Sequence, residues 1–135
     1  MGNINKLINP EQDLKRLKGK NMRKIEKNMM TAIQKCEDWS SGNTSVTQFE
    51  PYQTTQVRLH GHLIAIIRNI ETDSWQRNDI ELSSCGWETV TTKSRLNALL
   101  NYTPWRIVQK NFEWFAYCSM TNQMMPFYDG IKLPY

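Results

Sequence analysis

Five consecutive apolar residues, Leu63-Ile64-Ala65-Ile66-Ile67, form the longest such run in the chain and constrain its fold more than any other feature. Successive side chains of a strand point to opposite faces, so a run apolar at every position must leave water on both. At five residues it falls far short of the roughly 20 that cross a bilayer as a helix. It therefore predicts a central strand, His62–Asn69, in a sheet whose one face is covered by helices. The strand before it, Thr55–His60, alternates: Val57 and Leu59 face one way, Arg58 and His60 the other. Gly61 between the two supplies the positive φ of a tight hairpin.

Around this hairpin, periodicity sorts the rest of the chain. Met22, Ile25, Met29, Ile33 and Cys36 recur at spacings of 3, 4, 4 and 3, one face of a helix over 22–36. Asp38–Asn43 is a turn cluster, and Thr44–Phe49 is a short strand closed by Pro51. Beyond the hairpin come a polar loop carrying Trp75 and a strand over Asp79–Ser83 with Ile80 and Leu82 inward. Gly86 ends that strand, and Trp87 is expected to pack against the sheet. Thr91 or Thr92 caps a helix over 92–102 with Leu96, Leu99 and Leu100 as its buried stripe. Lys93, Arg95 and Asn97 point elsewhere, and Pro104 marks the stop. Trp105–Lys110 and Phe112–Cys118 read as aromatic-rich strands, with Phe112 and Trp114 sharing a face. Thr121-Asn122 turns the chain into Met124–Tyr128, and Asp129–Tyr135 reads as an edge or extended segment. Upstream, Asn9-Pro10 opens a thinly apolar helix that Gly19 ends. The fold class predicted is α+β, with an N-terminal amphipathic helix and a second short helix on one face of a mainly antiparallel sheet of five or six strands.

A length of 135 residues gives one domain with a moderate core. The N-terminus lacks the apolar stretch and cleavage site of a secretory signal, so none is expected. Three cysteines, Cys36, Cys85 and Cys118, are an odd number without a C-x-x-C pair, and read as free thiols in a reducing cytoplasm. The net charge of +4 is uneven. Residues 1–36 hold nine Lys or Arg against three acids, a net +6, and residues 37–135 hold eight against ten, a net −2. Affinity for nucleic acid arising from charge must therefore come from the leading segment.

Three constellations could carry chemistry. His60-Gly61-His62 with Cys85 offers at most three metal ligands, and solvent-exposed turn histidines are the plainer reading, so no metal is expected. Cys85 before Gly86-Trp87 resembles a nucleophile near a helix start, but the predicted helix begins too far on to lower its pKa, and a buried structural cysteine is the stronger reading. No phosphate-binding glycine loop, zinc-protease or serine-hydrolase motif is present, so neither an enzyme nor a cofactor is expected. The third group is basic. Arg23, Lys24 and Lys27 lie off the apolar face of the first helix. Thr91, Thr92, Lys93 and Arg95 combine hydroxyls, a helix N-terminus and two cations at the second. Arg106 and Lys110 lie among Trp105, Trp114 and Phe115, which could stack unpaired bases if exposed. Helix capping and solvated outer faces account for the same residues more plainly.

Several stretches carry a resemblance: Met22-Arg23-Lys24-Ile25-Glu26, Leu59-His60-Gly61, Cys85-Gly86-Trp87-Glu88-Thr89, Thr91-Thr92-Lys93-Ser94-Arg95-Leu96-Asn97-Ala98-Leu99 and Gln109-Lys110-Asn111-Phe112. On these the chain resembles a family of small uncharacterised bacteriophage proteins found in phages of marine bacteria and cyanobacteria. That resemblance implies the cytoplasm of a bacterial host and no particular chemistry. Family members tend to begin at a sequence like Met22-Arg23-Lys24-Ile25-Glu26. Met22 is therefore a candidate natural start, with residues 1–21 a loosely docking extension of a single domain over 22–135. The expected function is a non-enzymatic binding protein with no membrane partner. It engages nucleic acid through the 22–36 helix and the Thr92–Arg95 corner, with a host protein of a defence or transcription system as the alternative partner. A cysteine enzyme using Cys85 and His60 comes third.

Overall fold

A computed structural model describes residues 22–50, 54–71 and 76–135. Helix α1, Lys24–Gln34, leads into nine strands and a second helix. These are β1, Trp39–Ser41; β2, Thr44–Phe49; β3, Thr54–Leu59; β4, His62–Glu71; β5, Gln76–Leu82; α2, Val90–Leu99; β6, Trp105–Lys110; β7, Glu113–Cys118; β8, Gln123–Pro126; and β9, Ile131–Pro134. The class is α+β as expected, but the strands divide between two sheets. Six form an antiparallel sheet in the order β1-β2-β3-β4-β5-β9, and β6-β7-β8 form a separate antiparallel meander. After the meander the chain returns to lay β9 against β5, pairing Leu82 with Ile131 and Ile80 with Leu133. All four of these side chains are 0–1% exposed.

β4 lies inside the large sheet, flanked by β3 and β5, as its apolar run demands. The register with β3 steps from Val57 opposite Ala65 to Arg58 opposite Leu63, leaving Ile64 as a bulge. The extra residue breaks the alternation, which is how neighbours Ile64 and Ala65 are both 1% exposed. His60 and Gly61 have φ of +52° and +79°, the left-handed pair of a two-residue hairpin turn. A hairpin absent from the sequence reading folds β1 onto β2 through Gly42, so the cluster at 38–43 is partly strand.

α1 buries Met29, Met30 and Ala32 and ends earlier than its spacing suggests. Cys36 has left-handed φ, its N–H donates to Ile33 O at 3.1 Å, and Glu37 N–H donates to Ala32 O at 2.9 Å. Those two bonds close the helix and leave Cys36 exposed rather than on the apolar face. α2 begins at Val90, with Thr89 as its cap: Thr92 N–H donates to Thr89 Oγ1 at 3.1 Å. The expected cap at Thr91 or Thr92 is thus two or three residues late. Asn97 of α2 grips β6 on both sides of one peptide position, accepting from Ile107 N–H at 2.7 Å and donating to Ile107 O at 2.9 Å. That pair of bonds docks the second sheet against the helix.

Candidate functional site

The basic residues named from the sequence separate into two groups. Arg95 is 2% exposed and faces inward. Its Nη1 lies 2.8 Å from Glu26 Oε2 of α1, its Nε donates to Thr44 Oγ1 at 2.9 Å, and its Nη2 reaches Asn43 Oδ1 at 3.2 Å. Glu26, 1% exposed, also accepts from Ser94 Oγ at 2.6 Å and from Arg23 N–H at 3.0 Å. A buried guanidinium needs a carboxylate and neutral acceptors to balance its desolvation, and α1, the β1–β2 turn and β2 supply them. Arg95 therefore belongs to the core, and so does Thr92, 2% exposed, whose hydroxyl meets that of Thr89 at 3.0 Å. The expectation that these two contact phosphate is corrected: their polar atoms bond within the protein.

Other side chains stay at the surface. Arg23, Lys24 and Lys27 on α1 and Lys110 at the end of β6 are exposed, and Thr91 and Lys93 are half-buried. Arg23 and Lys93 line one groove between the helices, a space of about 250 Å³ shared with Met22, Val90, Asn97 and Asn101. Asn101 is 1% exposed, and among the described residues its Oδ1 has no hydrogen-bond partner. Lys93 also extends toward the meander, where its Nζ donates to Gln109 Oε1 at 3.3 Å beside Lys110. Arg106 is half-buried and engaged within the protein.

The aromatic residues are redistributed as well. Trp105 and Trp114, 9% and 4% exposed, are core, and Phe127 meets Trp114 edge-on with ring centroids 5.6 Å apart. Phe115 is half-buried. Phe112 does not share a strand face with Trp114. It occupies the β6–β7 turn with Asn111, at φ of +66° and +52°, and is 92% exposed. Trp87, expected against the sheet, is 59% exposed. Cys85 and Gly86 have φ of +54° and +81°, and Trp87 N–H donates to Ser84 O at 2.9 Å, so a tight left-handed turn throws the indole outward. Asp129 fixes that turn from across the fold, accepting from Ser84 N–H at 2.8 Å and Ser84 Oγ at 3.0 Å. Asn111 was the available signal for the hairpin tip that carries Phe112, and Cys85-Gly86 for the turn that carries Trp87.

Trp87 closes one side of a cleft of about 420 Å³ with Leu59, His60, His62, Ile64, Ser84, Thr89, Thr91 and Thr92. The ring centroids of His62 and Trp87 lie 6.3 Å apart, with planes inclined by 32°. Cys85 stands behind the turn, its Sγ 3.0 Å from Leu63 O and 3.6 Å from Ser83 Oγ. Among the described residues, no three His, Cys, Asp or Glu side chains converge as metal ligands, and no helix is long and apolar enough to cross a membrane. The expected helix at 9–19 and the five basic residues before Met22 lie outside the described residues.

Residues 22–134 match the model of a protein family described as Kyanoviridae Gp96 protein. Neither a curated protein nor a solved structure matches the chain.

Proposed function

The chain belongs to the Kyanoviridae Gp96 family of cyanophage proteins, and from its surface we propose that it is a non-enzymatic protein that binds single-stranded nucleic acid in the cytoplasm of the infected cell. One observation carries the reading: two large aromatic side chains, Trp87 and Phe112, stand in solvent at turns, and the surface cations Lys93 and Lys110 lie between them in the chain. From Trp87 the chain passes over the α2 N-terminus to Lys93, which lines the helix groove together with Arg23. Lys93 also reaches Gln109, next to Lys110 and Phe112. Cations that track a phosphate backbone, interleaved with aromatic faces for unpaired bases, are what sequence-tolerant single-strand binding needs. The exposed aromatics favour a single strand over a duplex, whose bases are already stacked. Fluorescence anisotropy with labelled single- and double-stranded oligonucleotides at two salt concentrations tests this. The single strand binds more tightly and loses affinity steeply with salt; no binding of either at low salt refutes the proposal.

A second reading, a host protein as partner, is favoured by a different surface. Met120, Met124 and Tyr128 are 80%, 43% and 60% exposed around β8, the outer strand of the meander. Methionine and tyrosine are enriched where proteins meet, and an outer strand offers unpaired backbone groups to a partner. A defence or transcription component would fit this role. Capture from a nuclease-treated host lysate, compared between the wild type and a Met120→Glu/Met124→Glu variant, tests it: a stoichiometric partner is lost with the variant. A partner retained by the variant, or none at all, ends the reading.

A further inference from the structure

We propose that the Trp87–His62 cleft is a clamp for one unpaired nucleobase of a bound strand; this rests on the single-strand reading and assigns its principal base-binding site. A planar ring seated between two others needs about 6.8 Å between them, twice the roughly 3.4 Å rise of stacked bases. The His62 and Trp87 centroids stand 6.3 Å apart with a 32° tilt, so an opening of about half an ångström and a flattening of the tilt admit a base. The pair can move that way, because both side chains are exposed, Trp87 following the Cys85-Gly86 turn and His62 opening β4 directly after the His60-Gly61 turn. Leu59 and Ile64, 4% and 1% exposed, make an apolar floor. Thr91 and His60 complete the lining with a hydroxyl and an imidazole that could meet a base edge without selecting one base, while the Ser84 and Thr89 hydroxyls are already bonded within the protein. At about 420 Å³ the cleft lies near the small end of the ~300–1,000 Å³ range of ligand sites, a size suited to a single base.

The test compares labelled oligothymidylate with a strand of the same length made of abasic sites, at low salt, on the full chain. The two carry the same phosphates and differ in their bases. Wild type holds oligothymidylate about ten- to a hundredfold more tightly than the abasic strand, the range expected for base stacking on an aromatic ring. Trp87→Ala loses at least about tenfold on oligothymidylate and nothing on the abasic strand, and Trp87→Phe restores most of the loss. Because Trp87 is largely exposed, these variants fold. Equal wild-type affinity for both strands, or a Trp87→Ala variant that binds oligothymidylate unchanged, overturns the clamp and leaves strand binding standing. Failure of both strands to bind overturns the clamp together with the reading beneath it.

Discussion

Removing the Arg95 guanidinium while Glu26 stays would leave a carboxylate at 1% exposure without its cationic partner. Breaking one side of a buried pair costs about 3–5 kcal/mol. Arg95→Met is therefore expected to lower the denaturation midpoint severely, and Arg95→Met with Glu26→Gln to recover much of the loss. Equal stability of Arg95→Met and wild type would show that the pair holds nothing together. A second residue gives a pH signature. Burial, reinforced by the neighbouring Tyr102 phenol, pushes the Tyr135 hydroxyl up from 10 to about 12. The folded state therefore holds that proton more tightly than the unfolded chain. Its contribution to stability is full below pH 10 and is lost as pH rises towards 12. Unfolding followed across that window should show this decline in the wild type and a flatter profile in Tyr135→Phe. Both halves of the ion pair were legible in the spacing. Glu26 stands four residues after Met22 and three before Met29, on the apolar stripe of α1. Arg95 stands three after Thr92 and four before Leu99, on the inward side of α2. Reading charge as a mark of exposure, before asking which face it fell on, placed Arg95 at the surface.

The β6–β7 hairpin shows strain at the level of an element. A left-handed conformation costs an L-residue roughly 1–2 kcal/mol, and Asn followed by Gly is the pair that suits such a turn. The chain instead has Asn111-Phe112, with the ring in solvent where it packs nothing. Phe112→Gly should therefore stabilise the protein by about 1 kcal/mol in denaturant unfolding while weakening single-strand binding. A variant that gained stability and kept full affinity would show that the ring has no part in binding. Strand positions were legible where alternation or an unbroken apolar run was strong: β2, β3, β4 and β6 lie within one or two residues of their expected spans. The division into two sheets was not, because alternation reports which face of a strand is buried and says nothing about which strand lies beside it. Asn111 marks a turn, but a phenylalanine at its second centre, where glycine is expected, does not announce itself as exposed. Trp87 and Phe112 were accordingly read as core.

For the molecule as a whole, two arginines among the described residues are held within the fold and cannot attract a partner. Arg95 is held by Glu26, and Arg68 by Glu81 at 3.1 Å, with Asp79 at 3.9 Å. Of the basic residues named from the sequence, Arg23, Lys24, Lys27, Lys93 and Lys110 remain for phosphate. Each contact with a single strand contributes a slope of about −0.7 to log affinity against log salt, so five contacts predict about −3.5. Anisotropy titrations over a salt series measure it, and a slope near zero would rule out a backbone-driven mode. The central claim is that one face, running from Trp87 past Lys93 to Phe112, holds the strand. Amide chemical-shift mapping of the labelled protein during titration with a single-stranded oligonucleotide at low salt tests it most directly. The account predicts shifts at His62, Trp87, Val90, Lys93, Lys110 and Phe112 with β8 unmoved. A silent spectrum, or shifts confined to Met120–Tyr128, would contradict it.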